Sequence, residues 1–228
     1  MSQLILVNRS HPLDFENGKT GGGFPAVLVD VAAFMPVMEG EKVLLEQTAA
    51  HALQKLLAAV YEADRECGDG QTIAAVSGWR SQREQIEIYE DSLKENGEAF
   101  TRKYVAWPGC SEHQTGLAID VGLKAEHMDF IRPEFPWEGI GRIFRRLAPK
   151  YGFVQRYTKE KEVLTGIAEE PWHFRYVGCP HAQIMTERGL CLEEYIDENK
   201  KLRTFGCVPD FRGNSGDCYS YRAPGVFK

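Results

Sequence analysis

The sequence predicts an α+β fold. Three observations carry that expectation: helical spacing of apolar residues over about 41–67, short strand-like apolar runs later in the chain, and helices interleaved with them without regular βαβ spacing. At 228 residues, with 43% hydrophobic and 26% charged side chains, the chain can bury a core as one large domain or two small ones. A net charge of -6, with no Lys/Arg block or aromatic-basic stripe, excludes a nucleic-acid surface. The longest apolar runs, LILV at 4–7 and AVLVDVAAFM at 26–35, are too short to cross a bilayer. No basic segment, apolar stretch and small-residue cleavage site opens the chain, so a cytoplasmic protein is expected.

Taken in order, residues 1–40 are irregular, carry a GGG at 21–23, and are expected to lay an extended segment over the core. Leu45, Ala49, Leu53, Leu56, Leu57 and Val60 then define one amphipathic helix from about Glu41 to Cys67, ended near Gly68. TIAAVSGW at 72–79 reads as a strand. Ser81 and Glu84 form a capping-box signature for a helix reaching about Glu95, stopped by Asn96-Gly97. GLAIDVGL at 116–123 is a second strand, EGIGRIFRRLAPKYG at 138–152 a helix, and GFVQRY at 152–157 a strand. PWHFRYVG at 171–178 is the next strand and HAQIMTERG a helix. No linker divides the chain before about residue 198. From 199 to 228 periodicity is lost and Gly and turn residues accumulate, which marks an appended tail.

The six cysteines (67, 110, 179, 191, 207 and 218) contain no CxxC pair and read as free, mostly buried thiols of a reducing compartment. Cys207 and Cys218 are the exception, since they could close a small disulfide loop in the tail.

SEHQTGLAID at 111–120 sets a histidine and an aspartate around a glycine, in a chain with six histidines. Period 2 along GLAIDVG places Leu117, Ile119 and Val121 on a core face, and Asp120 on the other face between the small Ala118 and Gly122. Gly116 permits a turn that brings His113 back beside Asp120. In PWHFRY, Trp172, Phe174 and Tyr176 take the core face while His173 and Arg175 project from the other. Glu170 lies just outside the regular strand, three residues before His173. Two imidazoles and one carboxylate with an open position form a catalytic zinc set. Spacing alone leaves the alternative open that each is a hydrogen-bonded core residue. His11, His51, His127 and His181 have no comparable setting. Cys110, beside Ser111, invites a nucleophile reading with His113 as base, but no third, orienting group is evident.

SGWRSQREQ at 77–85, SEHQTGLAID at 111–120 and EPWHFRYVG at 170–178 together resemble the D-alanyl-D-alanine carboxypeptidase/dipeptidase family of zinc peptidases, of the vancomycin-resistance VanY and VanXY type. The resemblance covers roughly residues 60–198. It implies the lysostaphin/Hedgehog-like zinc-peptidase fold, an antiparallel sheet with flanking helices carrying the site, and a peptidase domain over 1–198. It implies one Zn2+ per chain held by His113, Asp120 and His173, with Glu170 as catalytic base and Arg80 near the scissile carbonyl. Gln85 and Ser111 match substrate-contacting positions. Trp79 stands where the family more often has tyrosine, a packing difference. Implied substrates are small peptides ending in D-Ala-D-Ala. An L,D-carboxypeptidase or peptidoglycan endopeptidase on the same scaffold, and a non-catalytic zinc-bearing module, are the alternatives. A free carboxylate at Glu170 argues for an enzyme, because a binding module has no need of a base.

Overall fold

The computed structural model describes residues 3–14, 27–65 and 70–204. A two-stranded ribbon comes first, with β1 (Leu28–Asp30) antiparallel to β2 (Leu44–Glu46). The expected helix from Glu41 begins later, as α1 (Gln47–Asp64). Leu45 is fully buried by its strand pairing, and the Glu46 carboxylate accepts the N–H groups of Thr48 and Ala49, so the helix starts after this cap. The apolar spacing did not distinguish those two elements.

β3 (Ile73–Ser77) follows, then α2 (Gln82–Asn96), opened by a complete Ser81/Glu84 capping box and ended at Gly97, whose φ is 80°. The short α3 (Glu98–Tyr104) was not expected from the sequence. β4 (Ala118–Leu123) is preceded by a 3-10 turn at Glu112–Thr115 that ends on Gly116 in the left-handed region, φ 71°. After α4 (Gly139–Leu147) come β5 (Phe153–Tyr157), the single-turn α5 (Glu162–Thr165), β6 (Glu170–Tyr176), α6 (His181–Arg188) and α7 (Leu192–Thr204). Residue 198 falls inside α7, and the sequence from 205 onward lies outside the described residues.

The main sheet has the order β3-β4-β6-β5, every pair antiparallel. Its first face bears Leu117, Ile119, Val121, Phe174 and Phe153, packed with Leu53, Leu57 and Val60 of α1 and Ile140 and Phe144 of α4. Each such side chain, once buried, contributes about 1.5–3 kcal/mol. The opposite face is covered too. Val154 packs with Met185 of α6, Leu192 and Tyr195 of α7, and Leu4 and Leu6 of the N-terminal segment. Polar side chains on this second face are therefore enclosed.

The cysteine expectation needs correction at one position. Cys110 and Cys191 are free, but Cys179 is disulfide-bonded. Disulfide partners are set by approach in space, which sequence spacing does not reveal. Cys67, Cys207 and Cys218 lie outside the described residues.

Candidate metal centre and active site

The register of two strands makes the first pair. Asp120 of β4 lies directly opposite His173 of β6, where antiparallel Cβ atoms come within about 5 Å. His173 Nδ1 is 2.8 Å from Asp120 Oδ1. The 3-10 turn and Gly116 return His113 to the same place, with Nε2 at 3.1 Å from Asp120 Oδ2. His113 Nδ1 donates to the Gly78 carbonyl at 2.7 Å, which fixes the tautomer and leaves the Nε2 lone pair facing the cluster. One ligand atom from each of His113, Asp120 and His173 lies within 4.8 Å of the others, and all three residues are buried.

Burial, with Arg80 beside it, pulls the His113 imidazole down to about 4. It is thus neutral near pH 7, as a metal ligand must be. Burial alone would raise Asp120, but the neighbouring His113 and His173 hold it below the usual carboxylate range. Burial opposes charge on His173 as well; its hydrogen bond to Asp120 and the nearby Glu112 outweigh burial and push it up to about 9. Without an ion the cluster therefore holds a proton between carboxylates, in a place where a cation fits. Two nitrogens and a carboxylate oxygen form a donor set suited to zinc.

Arg80 leans over the same carboxylate, its Nη2 at 3.3 Å from Asp120 Oδ2. Its Nε donates to Ser77 Oγ at 2.9 Å and Nη1 to Gln85 Oε1 at 3.4 Å, while Phe130 lies 5.3 Å from the guanidinium. Gln85 is fully buried and spends its amide on Arg80 and, through Nε2, on the Ala106 carbonyl. It reaches the site by holding Arg80. Ser111 lines the cleft itself.

Glu170 is the first residue of β6 and not, as expected, outside the strand. Alternation puts it on the face of Trp172 and Phe174. Glu170 pairs with Tyr157 of β5 past an even register shift, Gln155 opposite Phe174 and then Tyr157 opposite Glu170, which leaves its face unchanged. Glu170, Tyr157 and Trp172 all line the cleft. Burial, with the Asp120 charge adding to it against the pull of His173 and Arg80, raises the Glu170 carboxyl to about 8. A bound dication would pull it back down. Among the described residues no side chain or backbone group hydrogen-bonds to this carboxylate; its nearest ionic neighbour is His173 Nδ1 at 3.9 Å.

The His113, Asp120, His173, Glu170 and Arg80 side chains line one cleft that opens to solvent. Ile88, Val105, Phe130, Ile131, Ile167 and Trp172 supply its apolar walls. Cys110 does not line it, and burial raises its thiol pKa, both contrary to a nucleophile. His11, His51 and His127 are exposed, and His181 pairs with Tyr195 Oη at 2.8 Å.

The sequence pattern alone does not single out Glu112, Arg156 or Tyr157. Tyr157 lays its ring beside His173, with centroids 4.9 Å apart. Arg156 joins Glu112 to Glu193 of α7. An arginine inside each of two short apolar strands, GFVQRY and PWHFRY, was the available signal, because a charge there must find a buried partner.

An antiparallel sheet thus presents a buried His/Asp/His set that could hold one metal ion, beside an unengaged carboxylate. The chain belongs to the VanY family of D-alanyl-D-alanine carboxypeptidases, whose model matches residues 42–179. Among its relatives is the bifunctional D-Ala-D-Ala dipeptidase and D-Ala-D-Ala carboxypeptidase VanXYC of Enterococcus gallinarum, 43% identical over 86% of this chain and 95% of that protein. A crystal structure of the vancomycin-resistance D,D-dipeptidase VanXYg with a D-Ala-D-Ala phosphinate analog is 48% identical, covers 88% of this chain and 72% of that one, and gives a TM-score of 0.74. A vancomycin-resistance D,D-pentapeptidase VanY in complex with Zn(II) is 31% identical over 85% of this chain and 98% of that chain, with a TM-score of 0.63.

Proposed function

We propose that this chain is a zinc D,D-peptidase that hydrolyses the terminal D-Ala-D-Ala bond of peptidoglycan precursors, as a carboxypeptidase and also on the free dipeptide. The observation that carries the proposal is Glu170: a buried carboxylate with no hydrogen-bonding protein partner among the described residues, at the edge of the His113/Asp120/His173 set. His113 Nε2, the Asp120 carboxylate and His173 Nδ1 would hold one zinc per chain. When bound, zinc supplies Lewis acidity toward a peptide carbonyl and toward water.

The remaining work falls to side chains of this chain. Glu170 accepts the proton of the attacking water at its carboxylate and delivers it to the leaving amine. Arg80, fixed by Ser77 and Gln85, holds positive charge where negative charge grows on the carbonyl oxygen. Ser111 contacts the peptide at the cleft wall, and Gln85 acts on it through Arg80. The apolar walls exclude water and leave room for a peptide end.

Among the described residues no helix is long and apolar enough to cross a membrane. The substrates fit a cytoplasmic role in glycopeptide resistance, in which free D-Ala-D-Ala and UDP-linked pentapeptide are destroyed while precursors ending in D-Ser or D-lactate are spared. The Cys179 disulfide bears on compartment. A disulfide at Cys179 favours an oxidising compartment, so thiol trapping that finds Cys179 oxidised in native protein would overturn the cytoplasmic role.

One assay tests the reading: release of D-Ala from D-Ala-D-Ala, UDP-muramoyl pentapeptide and a tetrapeptide, run in parallel, with D-Ala-D-Ser as competitor. Cleavage of the first two, with D-Ala-D-Ser cleaved far more weakly, is expected. Activity on the tetrapeptide alone would make the chain an L,D-carboxypeptidase. Equal kcat/KM on D-Ala-D-Ser would remove the resistance role while leaving the zinc peptidase intact.

A further inference from the structure

Glu112, which lines the cleft beside His173, belongs to a charged cluster that the peptidase steps above do not use. Glu112, Arg156 and Arg175 are each buried to 2% exposure or less, and Glu193 of α7 closes the group. Their formal charges cancel. Arg156 Nε donates to Glu112 Oε1 at 2.8 Å, and Arg175 Nη1 sits 2.9 Å from the same oxygen. The other ends of both arginines are occupied as well: Arg156 binds both oxygens of Glu193, and Arg175 donates to the carbonyls of Gln3 and Ile5.

Glu112 is thus divided between two tasks. Its Oε1 accepts from Arg156 and is ion-paired with Arg175, whose Nη1 makes no hydrogen bond. Oε2 has no hydrogen-bond partner and lies 3.6 Å from His173 Nε2, which is also buried without one. That distance is too long for a hydrogen bond, yet a small rotation of either side chain closes it. Two buried polar atoms, one a ring N–H donor and one an acceptor, each lacking a partner and facing each other, form an incomplete pair. Once Nδ1 of His173 is committed to a metal, Nε2 must carry the ring's single proton, and Glu112 Oε2 is the acceptor within reach.

We infer that Glu112 is the positioning residue of the metal centre: it fixes the Nε2–H tautomer and the orientation of His173, and the two arginines hold its carboxylate in place. Glu193 is the outer brace, which acts on Arg156 and not on the histidine. The inference rests on the zinc reading above and adds a requirement that the three ligands alone do not contain. It also explains why two arginines are enclosed on one side of a peptidase site. Opposed to one carboxylate oxygen, they leave the second oxygen a fixed acceptor.

Glu112→Gln makes the test sharp. The amide oxygen should turn to the arginines, which present only donors, so the amide NH2 would face His173 Nε2. The ring would then accept at Nε2 and carry its proton on Nδ1, the ligand atom. The full-length protein, stripped of metal and shown folded by circular dichroism and melting temperature, is titrated with zinc against a chelator. Glu112→Gln should lose about 10–100-fold in zinc affinity. Glu112→Asp keeps the charge for the arginines but shortens the reach, and serves where the glutamine variant does not fold; it should also bind zinc at least about tenfold more weakly. Glu193→Gln should lower the melting temperature through Arg156 while leaving zinc affinity within threefold. Zinc affinity within threefold of the parent in a folded Glu112 variant would overturn the inference. So would a Glu193→Gln loss as large as that of Glu112→Asp, which would reduce the cluster to general scaffolding. Absence of zinc binding by the parent would instead overturn the zinc reading itself.

Discussion

Glu170 and Arg80 illustrate what single residues contribute at this site. Glu170→Gln should keep the fold and the zinc but lower kcat by about 10²–10⁴-fold, the usual contribution of a general base. Steady-state kinetics with metal analysis checks this, and Glu169→Gln, half-buried one residue away, should stay near the parent. Metal-free protein adds a pH signature. A folded carboxyl raised to about 8 binds more protons than its unfolded counterpart near 4.5, so its ionisation costs stability as pH rises through that window. In chemical denaturation without metal, the stability of Glu170→Gln relative to the parent should therefore grow from about pH 4.5 to about pH 8. A flat difference would mean that the carboxylate is not desolvated. Arg80→Ala should lower kcat by about 10²–10³-fold with a smaller rise in KM if the guanidinium meets charge that develops during reaction, as proposed. An effect on KM alone would make it a substrate clamp.

At the level of elements, the end of β3 is where local geometry and chemistry meet. A Cβ on Gly78 would stand 2.3 Å from the Leu44 carbonyl and 2.9 Å from a Val43 methyl, so glycine allows the β2 segment to lie against this turn. The Gly78 carbonyl also fixes the His113 tautomer, and the Trp79 N–H donates to Leu44 O at 2.6 Å. Gly78→Ala should therefore lower both the melting temperature and zinc affinity. Ser81→Ala, three residues on, removes only a helix cap and should cost about 1 kcal/mol, or about 2–4 °C in melting temperature, with zinc affinity unchanged. Thermal melts and chelator competition on both variants separate the two effects. The cap was legible as Ser81 with Glu84 because both partners sit within one helical turn. The need for glycine at 78 was not, since Val43 and Leu44 are distant in sequence.

On the scale of the whole molecule, the centre ties together a 3-10 turn and two strands from residues 113, 120 and 173. Zinc at a hundredfold excess over its dissociation constant should stabilise the native state by about 2.7 kcal/mol, a rise of about 5–10 °C in melting temperature. His113→Ala, Asp120→Ala and His173→Ala should each abolish that rise, as a three-ligand site has none to spare. Differential scanning calorimetry with and without zinc measures it. A full zinc-induced rise in any one of the three would remove that residue from the ligand set.

Periodicity and local motifs were enough to read β3, α2, β4, β5, β6 and α6 from the chain, because alternation, capping and stop residues act within a few positions. They also separated the faces of β4 and β6, which places Asp120 and His173 away from Phe174 and Ile119. Motifs in order pointed to the family and to zinc. Other features depended on contacts between segments far apart. The strand at 44–46 exists because Leu28–Asp30 pairs with it, and its apolar residues fit a helix equally well. Glu170 lines the cleft opposite Tyr157 of β5, a pairing between strands that alternation along one strand cannot contain. Gln85 became a support for Arg80, and Glu112 a partner for two arginines, because burial forces each polar atom to find a neighbour among whatever the fold brings near. Periodicity is a property of one segment, whereas the partner of a buried charge is a property of the assembled core.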